Sequence, residues 1–333
     1  MKFRLVKISG YTEAILALRM STSKFYDWEK AQKIRDMEYC LTDKLGGLAT
    51  KDAYTRKLVS LIDHPEETHV VHNGGKGELS GDYERDVEEF KRLLGLTMDT
   101  AMGKFKHHTL MKYIDISFVT EGLHRGGQDD LDAHAMGFQN RITRQSTRLG
   151  TFDTQETSEW YQGKIATFDE VVTGLEVLNN KQILPDEVMK GEEKYIRTPF
   201  GYVHERYANM SPESGLYKDV LRGLMNLATP SNGIWKINLF DLRHVYASRS
   251  KIRTKANPEL KDGIEQLADQ VEQHVITFGE HFKHTFTDSG RWVHMNLTKT
   301  ITEDEYREFK RLQKQFAAQT ESYKEPIEIL KGE

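Results

Sequence analysis

The sequence predicts an α+β fold on three observations. Long stretches carry apolar residues at helical spacing, two segments have strand character, and prolines are sparse. Seven prolines in 333 residues fall below the usual ~5%, which favours long helices. Hydrophobic residues make up 38% of the chain and charged residues 29%. That balance supports a sizeable core and argues against wholesale disorder.

Taken in order, KFRLVKIS at the start alternates and reads as a strand. TEAILALRMSTSKF and YDWEKAQKIRDMEYCLTDKL read as helices. HPEETHVVHNGGKGELSGD is polar and Gly-rich and reads as a loop. Its glycines lack the G-x-x-x-x-G-K-[ST] order of a phosphate-binding loop. In YERDVEEFKRLLGLTMDTAMGKF the residues Val87, Phe90, Leu93, Leu94 and Leu96 fall near one helix face. YIDISFVTEG (113–122) has strand character and ends at a Gly turn. Mixed signals follow in LDAHAMGFQNRITRQSTRLG, then a helix over 168–183. Residues 184–216 read as an irregular polar insertion. YKDVLRGLMNLA reads as a helix stopped at Pro230, and WKINLFDLRHVYASRSKI mixes strand and helix signals. An amphipathic helix is expected over 260–284. Thr302 and Glu305 make a capping box for a last helix over 303–323. With no internal repeat and no linker, residues 1–300 read as one interwoven domain with an insertion around 151–215. Residues 301–333 read as a C-terminal helical extension.

Composition narrows the function classes. No run approaches the ~20 apolar residues of a membrane-spanning helix, and the first residues lack a secretory apolar stretch. The expectation is a soluble, cytoplasmic protein. Cys40 is the single cysteine, so an intramolecular disulfide and a cysteine-built zinc site are both excluded. The 47 Lys+Arg against 51 Asp+Glu give a net charge of −4. That argues against a nucleic-acid coat but leaves room for local basic patches.

Two such patches stand out. RITRQSTR (141–148) holds three arginines, Gln145, Ser146 and two threonines, and no acid. Guanidinium forks and hydroxyls suit phosphate oxygens; the alternative is a solvated basic strand face. The run from Leu242 to Lys255 carries Arg243, His244, Arg249, Lys251, Arg253 and Lys255, again without an acid. It reads either as an anion dock or as a basic helix end complementing the helix dipole. His107 and His108 are adjacent and do not share a helix face. His281 and His284 sit at i, i+3 with no completing carboxylate, so no metal site is assigned. Cys40 lies among charged residues with no local activating partner, and reads as an ordinary helix residue.

These signals line up, in order, with one family. ISFVTEGLHR (116–125) is similar to a core strand and turn of the pattern F-T-F-x-I-x-G-x-S-R, with Phe118, Gly122 and Arg125 at matching places. The flavin signature Arg-His-Arg reads here Ala133-His134-Ala135, so the histidine stays and both arginines are gone. Gln145-Ser146-Thr147-Arg148-Leu149 stands where the family has Q-S-x-R-Y, and KDVLR (218–222) where it has K-E-x-A-R. NLFDLRHVYASR (238–249) fits N-L-R-x-L-x-N-F-x-x-L-R, with Asn238, Leu239, Leu242 and Arg249 matching and Phe240 and His244 departing. The chain thus resembles the flavin-dependent thymidylate synthases in a divergent form.

The resemblance implies a central, mostly antiparallel sheet flanked by helices, assembled as a homotetramer. It implies C5 methylation of deoxyuridylate (dUMP), with FAD as cofactor and NADPH and methylenetetrahydrofolate as co-substrates. Gln145, Ser146, Arg148, Arg222 and Arg249 are expected to bind the nucleotide, with Arg249 also catalytic. His134, Asn238 and His244 are expected on the flavin side. Lys104, Lys106, His107 and His108 lie where the family has a G-H-x-S-x-x-E-H stretch and stand in for the lost donors. Two alternatives stay open: a pyrimidine nucleotide hydroxymethylase, and a non-catalytic nucleotide-binding relative without flavin.

Overall fold

The computed structural model describes residues 1–22, 27–63, 71–102, 107–134, 141–145, 156–212, 214–249, 257–274, 291–293 and 300–302, with 308 and 311. The helical half begins with strand β1 (Lys2–Ser9) and helices α1 (Tyr11–Thr22), α2 (Trp28–Leu41), α3 (Lys51–Asp63) and α4 (Tyr83–Met102). A short 3-10 helix (His108–Tyr113) leads into β2 (Asp115–His124), α5 (Arg125–His134) and β3 (Arg141–Arg144). Next come α6 (Phe168–Asn179), strands β4 (Glu187–Lys190), β5 (Glu193–Thr198) and β6 (Gly201–His204), and helices α7 (Glu205–Ala208) and α8 (Gly215–Arg222). β7 (Pro230–Asn238), α9 (Leu239–Arg249), α10 (Pro258–His274), β8 (Arg291–Val293) and β9 (Thr300–Thr302) complete the described elements. No described helix is long and apolar enough to cross a membrane.

The main sheet runs β1-β2-β7-β3, and every pairing in it is antiparallel, as the resemblance implied. Its inner face is read by period two. Ile116, Phe118 and Thr120 of β2, and Ser231, Trp235 and Ile237 of β7, are all buried. Phe118 pairs directly with Trp235 in the register. The rings of Phe3, Phe118 and Trp235 stack in sequence at 5.8 and 6.2 Å, and the Trp235 indole donates to Thr120 Oγ1 at 3.0 Å. An edge strand leaves backbone groups unpaired, and α10 satisfies those of β1. Gln266 accepts from Phe3 N at 3.1 Å; Gln270 accepts from Leu5 N and donates to Phe3 O, both at 2.8 Å.

In α4 the predicted face is correct except at Leu96. Val87, Phe90, Leu93 and Leu94 are buried, but Leu96 is half exposed. Six residues at ~100° each turn Leu96 about 240° from Phe90, and Thr97 and Met98 take the inner place instead. α3, which the sequence reading did not assign, buries Tyr54 and Leu61. Tyr54 donates to Asp86 Oδ2 at 2.6 Å. The described part of the Gly-rich stretch is the expected loop. His72 faces Asp36 at 3.2 Å, Lys33 donates to Glu78 at 2.8 Å, and Ser80 donates to Asp86.

Three sequence expectations need correction. Residues 184–216 are not irregular. They hold a three-stranded antiparallel sheet, β4-β5-β6, against which Arg197 pairs with Glu176 of α6 at 2.7 Å. The helix expected through residue 228 ends at Arg222, and Pro230 starts β7 rather than stopping a helix. Asn238 closes that strand rather than belonging to the helix after it. The capping box at Thr302 and Glu305 and the helix over 303–323 lie largely outside the described residues, as do His281, His284 and the end of the helix expected over 260–284.

Candidate anion and nucleotide site

The site forms where β2 passes into α5. The chain turns at His124–Arg125, and the first residues of α5 are tied to the turn that follows α8. Arg125 N donates to Thr229 O and Gly126 N to Leu227 O, each at 3.0 Å. Arg222 ends α8, and its carbonyl accepts from Met225 N at 3.3 Å. These backbone bonds hold Arg222 and Arg125 in one neighbourhood. From the other side, Gln145 at the end of β3 pairs with Asn232, and its carbonyl oxygen accepts from Arg125 Nη2 at 3.2 Å.

Burial, and then the guanidiniums of Arg144 and Arg222, hold Arg125 below the usual arginine range, with Asp129 pulling the other way. Arg125 therefore feels two other cations. Their neutralisation differs. Arg144 makes ion pairs with Asp129 and Asp132 of α5. Among the described residues, neither Arg125 nor Arg222 has a carboxylate partner. Arg222 is exposed, so an approaching anion reaches it.

Further along α5, Asp130 pairs with Arg249 Nη2 at 3.0 Å. Five residues of helix separate Arg125 from Asp130, about 7.5 Å along the axis. Arg249 Nε is buried and without a partner among the described residues. Next to it in α9, Arg243 is buried, and burial pushes its pKa down to about 10.

Of the predicted residues, the structure brings Gln145 and Arg222 together around Arg125 and ties Arg249 to the same helix. Ser146 and Arg148 lie outside the described residues. His134 is the last residue of α5, and only its backbone is described. Asn238 is buried, and its amide caps α9. Its oxygen accepts from Asp241 N at 2.9 Å and its nitrogen donates to Asp241 Oδ2 at 2.8 Å. His244 lies exposed on α9. Where the family pattern has arginine, Phe240 has the His108 ring at 6.1 Å and Lys112 Nζ at 5.3 Å. Lys104 and Lys106 lie outside the described residues.

Sequence reasoning noted Arg125 as a motif position and Arg144 within the basic patch but assigned neither to the site, and it left out Asp130 and Lys112 altogether. Arg125 was signalled by its place directly after a strand with a Gly turn. Asp130 carried no local signal, because its partner is 119 residues away. Burial pushes the Cys40 thiol up to about 12; it is not a nucleophile at neutral pH. Among the described residues, no group of three or more His, Cys, Asp or Glu is placed to hold a metal ion.

No curated protein matches the chain. Two crystal structures of the flavin-dependent thymidylate synthase ThyX from Helicobacter pylori, each with FAD and dUMP, show a loose likeness at 15% identity. One covers 81% of this chain and 93% of its own with a TM-score of 0.37, the other 85% and 99% with 0.38. The sequence model of the family described as thymidylate synthase complementing protein matches residues 14–275. That span runs from α1 through α10 and takes in every arginine of the site, so the chain belongs to the thymidylate synthase complementing protein family.

Proposed function

We propose that the chain is a flavin-dependent thymidylate synthase that methylates C5 of dUMP, with methylenetetrahydrofolate as carbon donor and NADPH as reductant. The observation that carries the reading is the Arg125–Arg222 neighbourhood. Arg125 donates to the Gln145 carbonyl at a strand end and feels the nearby Arg222 guanidinium, and neither arginine has a carboxylate partner among the described residues, an arrangement suited to a phosphate monoester. Arg148 and Ser146, three residues or fewer beyond Gln145, complete the phosphate set in this reading. Arg249, steadied by Asp130, faces the base and stabilises negative charge that develops on the ring. An inert Cys40 fits a synthase that attacks the base without a protein thiol.

FAD supplies the redox chemistry in such a synthase. Of the expected flavin residues, Asn238 is committed to capping α9, and Ala133 and Ala135 offer no side-chain donor. The described residues that suit an anionic ring ligand are Phe240, His108 and Lys112, with His134 and His244 as further contacts in this reading. Assembly as a homotetramer and a single domain over 1–300 belong to the same proposal.

Calorimetric titration of dUMP tests the phosphate site. A charge-assisted contact is worth roughly 1.5–3 kcal/mol, so Arg222→Ala and Arg125→Met should each weaken binding by about tenfold or more. Unchanged affinity in both folded variants removes the assignment. A second reading, a nucleotide-binding relative without flavin, draws on the committed Asn238 amide and the missing arginines. Fluorescence titration of FAD with and without dUMP separates the two. Uptake in the presence of dUMP supports the synthase. No uptake in either condition, with dUMP binding intact, supports the relative.

A further inference from the structure

Away from the arginine neighbourhood, a cleft of about 480 Å³ opens between the β1–α1 junction and α2. Small-molecule sites commonly occupy about 300–1,000 Å³. Its apolar walls include Leu16 and Ala31, and the rings of Trp28 and Tyr39 stand at its rim, 62% and 47% exposed. Large aromatic side chains left in water at the mouth of an apolar cleft are well placed to cover a planar ligand.

Two polar groups reach the cleft from its inner wall. Glu38 Oε2 accepts from Thr12 N at 2.7 Å, which places the carboxyl at the first turn of α1. Burial holds the Glu38 carboxyl above the usual glutamate range, against the opposing pull of Thr12. Thr12 lines the same cleft and is 8% exposed. Its hydroxyl makes no hydrogen bond among the described residues, though it lies close enough to help hold the Glu38 carboxyl. A buried hydroxyl left unpaired costs about 1–3 kcal/mol, a cost that an incoming acceptor removes.

The chemistry of the occupant follows from these groups. Glu38 asks for an N–H donor, and the Thr12 hydroxyl can donate to a neighbouring ring nitrogen. An exocyclic amino group beside a ring nitrogen presents that pair on one planar edge. An imide edge such as uracil's offers the same pair through its N–H and one carbonyl, but its second carbonyl oxygen is then turned toward the carboxylate, which disfavours it. Anions are disfavoured: Glu13 and Glu38 both line the cleft, and its lining cation, Arg35, is paired with Asp36 at 3.2 Å. We propose that this cleft binds an amino-substituted heteroaromatic base of the adenine type, with its amino edge on Glu38 and Thr12 and its ring under Trp28 and Tyr39.

Titration of the full chain with adenosine, purine riboside, uridine and AMP, followed by calorimetry and tryptophan fluorescence, tests it. Adenosine should bind with a dissociation constant of about 1 mM or tighter. Purine riboside, which lacks the amino group, and uridine should bind at least about tenfold more weakly. AMP should bind no more tightly than adenosine. Glu38→Gln keeps an acceptor for Thr12 N while adding N–H donors, and Trp28→Ala removes a largely exposed ring at the rim. Each should weaken adenosine about tenfold or more without shifting the melting temperature of the free protein by more than a few degrees. No binding of adenosine up to about 5 mM, equal binding of purine riboside, or unchanged affinity in both variants overturns the proposal. Displacement of adenosine by dUMP also overturns it, since that places adenosine among the arginines. The result does not depend on whether the chain is a synthase.

Discussion

Gly263 of α10 offers a direct test of how the helix meets the sheet. A Cβ built there would lie 2.4 Å from Phe3 Cε1 and 2.5 Å from Cδ1, where carbon atoms normally rest about 3.5–4.0 Å apart. The Phe3 ring has nowhere to retreat. It is buried, stacked on Phe118, and its strand is fastened to α10 by Gln266 and Gln270. Overpacking of this kind costs about 1–3 kcal/mol, and the depth of the overlap puts it near the upper end. Alanine returns about 1 kcal/mol of helix propensity. The net for Gly263→Ala is a destabilisation of about 2 kcal/mol, or ~4–8 °C in melting temperature for a large domain. Gly174 of α6 is the control, because its Cβ would meet nothing. Gly174→Ala should stabilise, by up to about 1 kcal/mol. Urea unfolding of both variants, with Phe3→Leu and the Phe3→Leu/Gly263→Ala double variant, measures the coupling. In the Phe3→Leu background the alanine should cost much less. If Gly263→Ala stabilises the parent chain as Gly174→Ala does, the close approach of α10 to Phe3 is wrong.

Two further outcomes follow from the titratable groups. Native Cys40 should resist a thiol reagent at pH 8 and react on unfolding, since burial pushes its thiol up to about 12; Cys40→Ala should keep the synthase activity proposed above, and loss of that activity in a folded variant would return a thiol to the proposed mechanism. Glu78, hydrogen-bonded by Lys33 and by the N–H groups of Asn73 and Gly75, is held at about 2 against an ordinary 4.5. A depressed carboxyl stabilises the fold above its unfolded pKa and loses that contribution as pH falls through the folded one. Acid titration of stability should therefore show a decline between about pH 4.5 and pH 2 that is shallower in Glu78→Gln, and identical slopes would refute the Lys33–Glu78 tie.

How far the sequence could be read depended on the range of the forces involved. Helical period exposed α4 because its apolar stripe answers to one core, and it erred only at Leu96, an apolar residue on the solvent side. Alternation and a Gly turn exposed β2. The segment 184–216 failed because short strands in a polar meander carry little alternating hydrophobicity. Their pairing is set by neighbours such as Tyr202, whose hydroxyl donates to Pro185 O. WKINLFDLRHVYASRSKI looked mixed because it is mixed: β7 runs straight into α9 at Asn238–Leu239. Arg222, Gln145 and Arg249 could be picked from ordered motifs. Arg125 stood in an ordered motif too, but its proximity to Arg222 could not be read there, and Asp130 could not be picked at all, because like-charge proximity and ion pairing across 90 or more positions leave no local trace.

The charge pattern around α5 shows which arginines the fold consumes and which it presents. Aspartates on this one helix account for two of them: Asp129 and Asp132 take Arg144, and Asp130 takes Arg249. Arg144, also over the Trp235 ring at 5.9 Å, thereby closes the sheet edge as a structural cation. Arg249 keeps its orientation while its Nε stays unpaired. Arg125 and Arg222 are held by backbone bonds rather than by acids, so their repulsion is borne by the fold in the free state and relieved by an arriving anion. That is electrostatic preorganisation in its simplest form. In the proposed reading, phosphate affinity would be a property of the β2–α5 and α8–β7 junctions, which the loss of the flavin-signature arginines at 133 and 135 leaves untouched. On that proposal, divergence at the flavin side and retention at the nucleotide side are separable in one chain, and binding of dUMP without FAD is the outcome the titrations above would then read.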